Sequence, residues 1–367
     1  MKLKNLVQLF LLLLVIGSSK AINQPVWSYK TAGDIWSVSV DGYVVAGSSD
    51  HKVYLFNKVG ELLWSYDTGD QVWVISVSDN YVAAGSGCKV YFFNKCGKVL
   101  WSYDTSGWVK SISISSNYIV AGSTDGRVYF FNKDGKLLWS YETGGWVWTV
   151  SMNDNYIVAG TGHSDHRVYF FNKKGKLLWC YDVGNWNWVK SVAITGDNHV
   201  VAGTRNFEVY FFDEEGNLLW KRRVGNVWKV SATNNYVAVA SDKIYFFNRD
   251  GELLWSYKTG SNWVLSVSIT PNGSYVAAGS RDSKVYFFRD GTLLLTYKTG
   301  GWVRSVAISG DCIVAGSDGI YFFNLTKLAT SQTNLSVKAE NGVLLGLKLA
   351  FAIAGILVAY YLKKKKL

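Results

Sequence analysis

The stretch Asn132–Trp148, NKDGKLLWSYETGGWVW, joins a glycine turn to a tryptophan in an apolar run, then to two tryptophans behind a second glycine turn. Versions of it return along the chain at intervals of 35–41 residues. The tryptophan of the LLW run recurs as Trp27, Trp64, Trp101, Trp139, Trp179, Trp220 and Trp255, with Leu295 in the eighth position. Self-similarity at this period predicts a repeat architecture.

Each repeat contains four short runs of strand-forming residues. In the third repeat these runs are WVKSISIS, NYIVAGS, RVYFFN and GKLLWSYET, which we call strands A to D, and turn sequences such as TDG and NKDG link them. Runs such as VYFF are apolar on both faces, as expected of a sheet that is covered on both sides. Four strands in every 40 residues or so, repeated around an axis, predict a β-propeller.

The number of blades follows from the A strands. They begin near Trp36, Trp73, Trp108, Trp146, Trp188, Trp228, Trp263 and Trp302. The eighth repeat lacks a D strand, and the segment Val26–Thr31, VWSYKT, resembles a D strand that precedes the first repeat. The predicted fold is therefore all-β: an eight-bladed β-propeller closed by an N-terminal strand, which removes the open edge of the last blade.

The two ends of the chain resemble membrane signals. Residues 1–21 have a basic start, an apolar run and small residues before a cleavage point after Ala21, which predicts a secretory signal peptide; an uncleaved anchor is the alternative. Residues 343–362 form an apolar run long enough for a transmembrane helix, and residues 363–367 form a basic cytoplasmic tail. The predicted organisation is thus signal peptide, propeller over 22–324, stalk over 325–342, single membrane span and tail. We expect the propeller at the cell membrane, on its extracytoplasmic side.

The charge distribution argues against a nucleic-acid partner. Of the net charge of +11, the ends account for most: +3 lies in 1–21, +1 in 325–342 and +5 in 343–367, which leaves +2 for the propeller. The four cysteines, Cys88, Cys96, Cys180 and Cys312, do not recur with the repeat, so a disulfide scaffold is not expected.

The segment VYFFNKDGKLLW, with its Val–Tyr pair, turn glycine and closing tryptophan, resembles the repeat of PQQ-type propellers. The resemblance covers about 22–324. That family includes quinoprotein dehydrogenases and a lipoprotein that assists the assembly of outer-membrane barrels. The resemblance implies eight blades and a D-strand tryptophan that docks between blades, so the seven LLW-type tryptophans above are expected to be structural. The glycine of the NKDG turn fits a left-handed hairpin position.

The resemblance also raises quinone-dependent catalysis. The catalytic members hold calcium through carboxylates and amides, place a cation on the quinone and often carry adjacent cysteines. This chain has no Cys–Cys pair, and its acidic residues fall mainly in DG turns. No repeat carries a long inserted loop. We therefore predict that the protein is not an enzyme and takes no cofactor; an ectodomain enzyme or quinone-dependent redox protein is the alternative.

Two irregular segments interrupt the repeat. GHSDHR places His163, Asp165 and His166 in a lengthened B–C loop, where a metal site or a solvated loop are both open readings, and we assign no metal. KRRV, residues 221–224, replaces the usual SYxT of the fifth D strand. It is suited either to an acidic partner or to the protection of an exposed sheet edge.

The second kind of tryptophan lies at the start of the A strands. When these strands are aligned on their S-V-S motif, the first position, three residues before the motif, holds Trp73, Trp108, Trp146, Trp188, Trp263 and Trp302, with Asp34 and Asn226 in two blades. The second position, one residue before the motif, holds Trp36, Ile75, Lys110, Trp148, Lys190, Trp228, Leu265 and Arg304. The nearly uniform first position suggests packing between blades, and the varied second position suggests a surface.

We predict a candidate binding rim composed of Trp36, Lys110, Trp148, Lys190, Trp228 and Arg304. Stacking and cationic contacts there suit an anionic or glycan-like ligand. The predicted function is that of a membrane-anchored binding or scaffolding module for a protein or a cell-surface glycan, and a purely architectural role is the alternative. Possible glycosylation sites are Asn272, Asn324 and Asn334.

Overall fold

A computed structural model describes residues 24–78 and 80–326, in which 32 strands form eight four-stranded antiparallel sheets. The first strand is β1 (Trp27–Lys30). Blades 1 to 4 consist of β2 (Ile35–Asp41), β3 (Tyr43–Ser48), β4 (Lys52–Phe56), β5 (Leu62–Asp67); β6 (Val72–Ser78), β7 (Tyr81–Ser86), β8 (Lys89–Asn94), β9 (Val99–Asp104); β10 (Val109–Ile114), β11 (Tyr118–Ser123), β12 (Arg127–Asn132), β13 (Leu137–Glu142); β14 (Val147–Met152), β15 (Tyr156–Thr161), β16 (Arg167–Asn172) and β17 (Leu177–Asp182).

Blades 5 to 8 repeat this order. Their strands are β18 (Val189–Ile194), β19 (Val200–Thr204), β20 (Glu208–Phe212), β21 (Leu218–Arg223); β22 (Lys229–Ala232), β23 (Tyr236–Ala240), β24 (Ile244–Asn248), β25 (Leu253–Tyr257); β26 (Val264–Ile269), β27 (Tyr275–Ser280), β28 (Lys284–Arg289), β29 (Thr292–Lys298); β30 (Ser305–Ser309), β31 (Cys312–Gly316) and β32 (Gly319–Asn324). The B–C and D–A loops lie at one end of each sheet, which we call the upper face. The A–B and C–D turns lie at the lower face.

The last blade is completed from the other end of the propeller. β1 pairs antiparallel with β32, in a register that sets Trp27 opposite Phe322 and Lys30 opposite Gly319. Trp27 stacks on Phe322 at 5.2 Å between ring centroids and also contacts Phe56 of blade 1. The predicted closure of an eight-bladed propeller by an N-terminal strand is therefore confirmed. Because β1 covers the edge of β32, the last blade has the same four strands as the others.

The D-strand tryptophans join each blade to the next one. The indole of Trp101 lies over the turn glycine Gly135 of the following blade, whose φ is +85°, and its Nε1–H donates to the Lys133 carbonyl at 3.0 Å. A Cβ at Gly135 would lie 2.6 Å from the indole Cγ. The same contact pairs Trp27 with Gly60, Trp64 with Gly97, Trp139 with Gly175, Trp179 with Gly216, Trp220 with Gly251 and Trp255 with Gly291. The turn glycine thus both adopts the left-handed backbone and leaves room for its neighbour's indole.

The A strands contact one another around the ring, and hydroxyl groups link them. The Ser37 Oγ accepts a hydrogen bond from the Ile75 N–H of the next blade at 3.2 Å, and Ser305 does the same for Val38 at 3.1 Å. In the same way the hydroxyl groups of Ser111, Thr149, Ser191 and Ser266 accept hydrogen bonds from the backbone N–H groups of Val150, Val192, Val230 and Val306, respectively. These equivalent bonds fix which residues of successive A strands correspond.

The predictions for the chain ends fall outside this description. Residues 1–21, residues 343–367 and most of the stalk are not among the described residues. Within 24–78 and 80–326, the structure contains no helix of the length and apolar character that a membrane span requires.

Candidate binding rim

The second position of the A strands coincides with a β-bulge. In blade 3 the register to the B strand shifts between Val109 and Ser111, and Lys110 is the residue left between them. Equivalent shifts occur in blades 1, 2, 4, 5 and 7. A bulge frees one side chain from the regular alternation of the strand and changes its direction. In these blades the side chain at this position, close to the upper end of the A strand, is therefore not part of the blade interior.

The bulge corrects the sequence alignment of blade 2. There the register shifts between Val72 and Val74, so Trp73 holds the second position, and the first position is Gln71. Ile75, which the S-V-S alignment placed at the second position, is only 5% exposed and occupies the core site of Val38 in blade 1. The prediction that Trp73 shares the first position with five other tryptophans is wrong. The rim gains an aromatic residue that the sequence reasoning omitted.

The exposure of the two positions also differs from the expectation. At the first position Trp108 is 51% exposed, Trp263 is 42% and Trp302 is 41%. The second-position side chains are half-buried in all eight blades. Four of the five first-position tryptophans are exposed, so that position is the more accessible of the two in those blades, and the second position lies deeper. The tryptophans of the first position are thus mainly surface indoles, not residues packed between blades.

A continuous series of ring and cation contacts passes through all eight blades. It starts at Trp228 and proceeds through Trp263, Arg281, Trp302, Arg304, Trp36, Trp73, Lys110, Trp148, Lys190, Trp188 and Arg205. The closest cation contacts are Lys110 Nζ at 3.9 Å from the Trp73 ring centroid and Arg281 at 3.9 Å from Trp302. The structure therefore brings all six predicted rim residues into one belt of indoles and cations, which we call the upper belt.

Two cations of the upper belt could not be found by aligning the A strands. Arg205 and Arg281 belong to B–C loops, which follow β19 and β27, and they reach the belt from the side. Sequence spacing within a repeat does not show that a loop residue lies over the A strand of its own blade. The repeated indole at the first position was the available signal, since each arginine covers one.

Most of the belt's cations lack an anionic partner. Arg304 forms an ion pair with Asp34 at 2.9 Å. Lys110, Lys190, Arg205 and Arg281 form no ion pair within the described parts of the chain. Burial lowers the pKa of Lys110. Burial, together with the charges of Arg205 and Lys110, lowers the pKa of Lys190 to about 8. The belt therefore concentrates positive charge in an environment that disfavours it.

Two indole donors in the belt are also unused. The Nε1–H groups of Trp36 and Trp148 are buried and have no hydrogen-bond partner in the structure. Buried N–H groups are rarely left without an acceptor. The belt thus offers hydrogen-bond donors as well as cations, and both match a ligand rich in acceptor oxygens.

The histidine loop does not gather a metal ligand set. The Asp165 carboxylate is buried and accepts hydrogen bonds from the Thr161 hydroxyl at 2.9 Å and the Tyr169 hydroxyl at 2.7 Å. The His163 ring instead lies against Trp146, at 3.7 Å between centroids. Within residues 24–78 and 80–326, no group of three or more His, Cys, Asp or Glu side chains is arranged to hold a metal ion.

The remaining irregular residues have local contacts. Lys221 of KRRV pairs with Glu208 at 3.1 Å, and Arg222 Nε donates to the Gly251 carbonyl at 2.7 Å. Cys88, Cys96 and Cys180 are exposed free thiols, and Cys312 is buried. Asn272 lies in an exposed lower turn and Asn324 ends β32, whereas Asn334 is not among the described residues. Their glycosylation stays a prediction.

The fold is similar to solved propellers of low sequence identity. A computationally designed protein, Ika8, superposes with a TM-score of 0.73 at 20% identity, covering 82% of this chain and 99% of its own. BamB from Moraxella catarrhalis gives a TM-score of 0.68 at 16% identity, covering 82% and 99%. Sqt1 from Saccharomyces cerevisiae gives 0.70 at 13% identity, covering 81% and 97%. These likenesses concern the fold alone.

Sequence comparison gives the family. No curated protein is a significant match to the chain. The sequence model of one family, described as outer membrane protein assembly factor BamB, matches residues 49–162 and 164–340. The matched segments cover well over half of the 367 residues. Together with the repeat motif and the eight blades, this match shows that the chain belongs to the BamB-like family of PQQ-repeat β-propellers.

Proposed function

We propose that the protein is a membrane-anchored, extracytoplasmic binding module whose upper belt holds an acidic segment of a partner protein. The observation that carries this proposal is the set of four cations that form no ion pair with any described residue and that each contact at least one indole: Lys110, Lys190, Arg205 and Arg281. Lys110 and Lys190 are partly buried, and a buried cation costs free energy unless an anion pairs with it. A carboxylate-bearing ligand would provide that anion.

The belt also suits a peptide in its shape and chemistry. Indoles supply apolar contact area with little loss of side-chain freedom, and aromatic and arginine side chains carry much of the binding energy in protein interfaces. The description of the matching family, an outer membrane protein assembly factor, supports a protein ligand over other anionic partners. The anchored, extracytoplasmic setting is taken from the predicted signal peptide and membrane span.

The proposal assigns binding and no catalysis. The groups gathered in the belt are indoles and cations, which are suited to recognition. A lysine with a lowered pKa can also act as a nucleophile, but Lys190 makes no hydrogen bond to an orienting group within the described residues. The chemistry at hand therefore favours a docking surface.

The test uses a fluorescein-labelled hexaglutamate peptide and its hexaglutamine counterpart, titrated with the purified full-length protein. We expect hexaglutamate to bind, with an affinity that falls as salt is raised, and hexaglutamine to bind far more weakly. The triple variant Lys110→Ala, Lys190→Ala, Arg281→Ala should weaken binding by at least about tenfold. The matched control is Lys95→Ala, Lys136→Ala, Lys174→Ala, three exposed lysines of the lower turns. Equal losses in both triple variants, or equal binding of the two peptides, would refute the proposal.

A further inference from the structure

A separate cavity of about 470 Å³ opens on the upper face beside the belt. Its lining comes from the B–C loop of blade 4 and from the loop that leads into blade 5: His163, Ser164, His166, Asn185 and Trp186. A cavity of this size accommodates a small molecule or one unit of a polymer. None of these five residues is itself a member of the upper belt, although the His163 ring stacks against two of its indoles, Trp188 at 4.5 Å and Trp148 at 6.3 Å between centroids.

The backbone around this cavity is strained. His163, His166 and Trp186 have φ values of +60°, +56° and +64°, in the left-handed region that residues other than glycine occupy infrequently, although histidine, asparagine and aspartate adopt it more often than the rest. The residue before strand C also has a positive φ in other blades, as at His51, Phe207 and Ser283, so His166 follows the repeat, whereas His163 and Trp186 have no non-glycine counterpart in the described parts of the other blades. Strained residues that cluster in one place often mark a functional site, because the surrounding fold must enforce them. Two strained residues that do not recur with the repeat, His163 and Trp186, line this cavity.

The polar groups of the cavity are not used internally. His166 is only 8% exposed, yet its Nδ1 is buried without a hydrogen-bond partner. The Asn185 amide and the His163 ring also make no hydrogen bond within residues 24–78 and 80–326. A buried polar atom without a partner indicates a water, an ion or a ligand that completes it. The cavity therefore presents an amide and imidazole nitrogens that can donate or accept.

Trp186 supplies the apolar wall. Its side chain is 82% exposed, the highest value among the exposed large hydrophobic side chains of the described residues. An indole held so far into solvent on a strained backbone gives up favourable burial. Its flat face is open for stacking against an apolar surface of a ligand.

These features select a ligand class. No lysine, arginine, aspartate or glutamate lines the cavity, so neither a phosphate clamp nor a metal site with carboxylate ligands is matched. A sugar ring presents a C–H face that stacks on an indole, and its hydroxyl groups both donate and accept hydrogen bonds. We propose that the cavity binds a neutral pyranose unit of a glycan, with Trp186 under the ring and with Asn185 and His166 bonded to its hydroxyls. This site uses side chains other than those of the proposed protein-binding belt and does not depend on that proposal.

The experiment measures binding of chitotriose, maltotriose and mannotriose to the purified full-length protein by calorimetry and by saturation-transfer NMR. We expect at least one trisaccharide to bind, Trp186→Ala to weaken that binding by at least about tenfold, and Trp186→Tyr to retain most of it. Asn185→Ala should also weaken binding, which provides a second variant at an exposed position. Trp108→Ala, an exposed indole of the first position, should leave sugar binding unchanged.

Hexaglutamate binding separates this proposal from the proposed function. Trp186→Ala should bind hexaglutamate as the wild type does, since the belt is intact. The pyranose proposal is refuted if no trisaccharide binds, or if Trp186→Ala and Trp108→Ala weaken sugar binding equally. It is also refuted if zinc binds at a site that His163→Ala and His166→Ala remove while no sugar binds, because the cavity is then a metal site.

Discussion

Replacing Lys190 by methionine tests whether the upper belt sacrifices stability for binding. The Lys190 side chain lies between two indoles, with Nζ at 4.3 Å from the Trp148 ring centroid and 4.8 Å from Trp188. Methionine keeps an unbranched side chain that can contact both rings, and it removes the charge. We expect Lys190→Met to be more stable than the wild type at pH 7 and to bind hexaglutamate more weakly.

The magnitude follows from two opposing effects on the charged amine. A fall in pKa from 10.5 to about 8 corresponds to about 3 kcal/mol against the charged form of Lys190 in the folded protein. The contacts of the ammonium group with two indoles return about 1 kcal/mol. The net gain from removing the charge is then about 2 kcal/mol in the free energy of unfolding. For a domain of this size that gain raises the melting temperature by about 4 °C.

The pH dependence of stability provides a second test of whether the charge of Lys190 destabilises the folded protein. Because the folded pKa of Lys190 lies below its unfolded value, the unfolded chain binds the extra proton between about pH 8 and 10.5. Wild-type stability should therefore gain a contribution as pH rises through that range, and Lys190→Met should lack it. Thermal unfolding followed by circular dichroism from pH 7 to 10 measures both, with Lys136→Met as the exposed control. A variant that melts below the wild type at pH 7 would show that the indole contacts outweigh desolvation and that the charge is structural.

Two further predictions concern the architecture. Trp27→Ala should lower the free energy of unfolding by about 3 kcal/mol, since it removes the stack on Phe322 and the hydrogen bond to the Lys58 carbonyl. Trp27→Phe should lower it by only about 1 kcal/mol. Urea titration measures both variants, and midpoints equal to that of the wild type would contradict a stabilising role for the closure. Gly135→Ala should lower the free energy of unfolding by about 2–3 kcal/mol, because its Cβ would clash with the Trp101 indole and its φ is +85°. Gly69→Ala is the control: its φ is +82°, its Cβ would meet no atom within 4 Å, and we expect a loss of about 1 kcal/mol. Equal losses would mean that the backbone conformation alone determines the cost.

The fold could be predicted because the same pattern of apolar strand residues and turn residues occurs in each of the eight repeats. The runs such as VYFF are apolar on both faces, and the structure buries both, since each sheet lies between two others. The N-terminal closure followed from counting strands: one D strand was missing at one end and one was in excess at the other. These inferences depend on pattern and number, which a sequence displays directly.

The error at Trp73 has a definite physical cause. The S-V-S motif of blade 2, Ser76–Ser78, lies two residues further along its strand than the equivalent motif Ser37–Ser39 of blade 1. A displacement of two residues preserves the alternation of faces in a strand, so it leaves no trace in the hydrophobic pattern. The bulge and the hydrogen bonds from the Ile75 and Val77 N–H groups to the Ser37 and Ser39 hydroxyls reveal the correct register. A bulge is set by backbone geometry, which side-chain periodicity does not report.

The charge of the upper belt is not demanded by the fold, and blade 7 shows why. Leu265 occupies the same bulge position as Lys110 and Lys190, in a strand with the same register shift and the same hydroxyl link to the next blade. An apolar side chain is therefore compatible with that backbone. Lysine at this position carries a desolvation cost that leucine avoids, so its presence in two blades needs a reason outside the blade itself. The proposed acidic ligand supplies one, and the gain in stability expected for Lys190→Met is the measure of what the folded protein gives up to bind it.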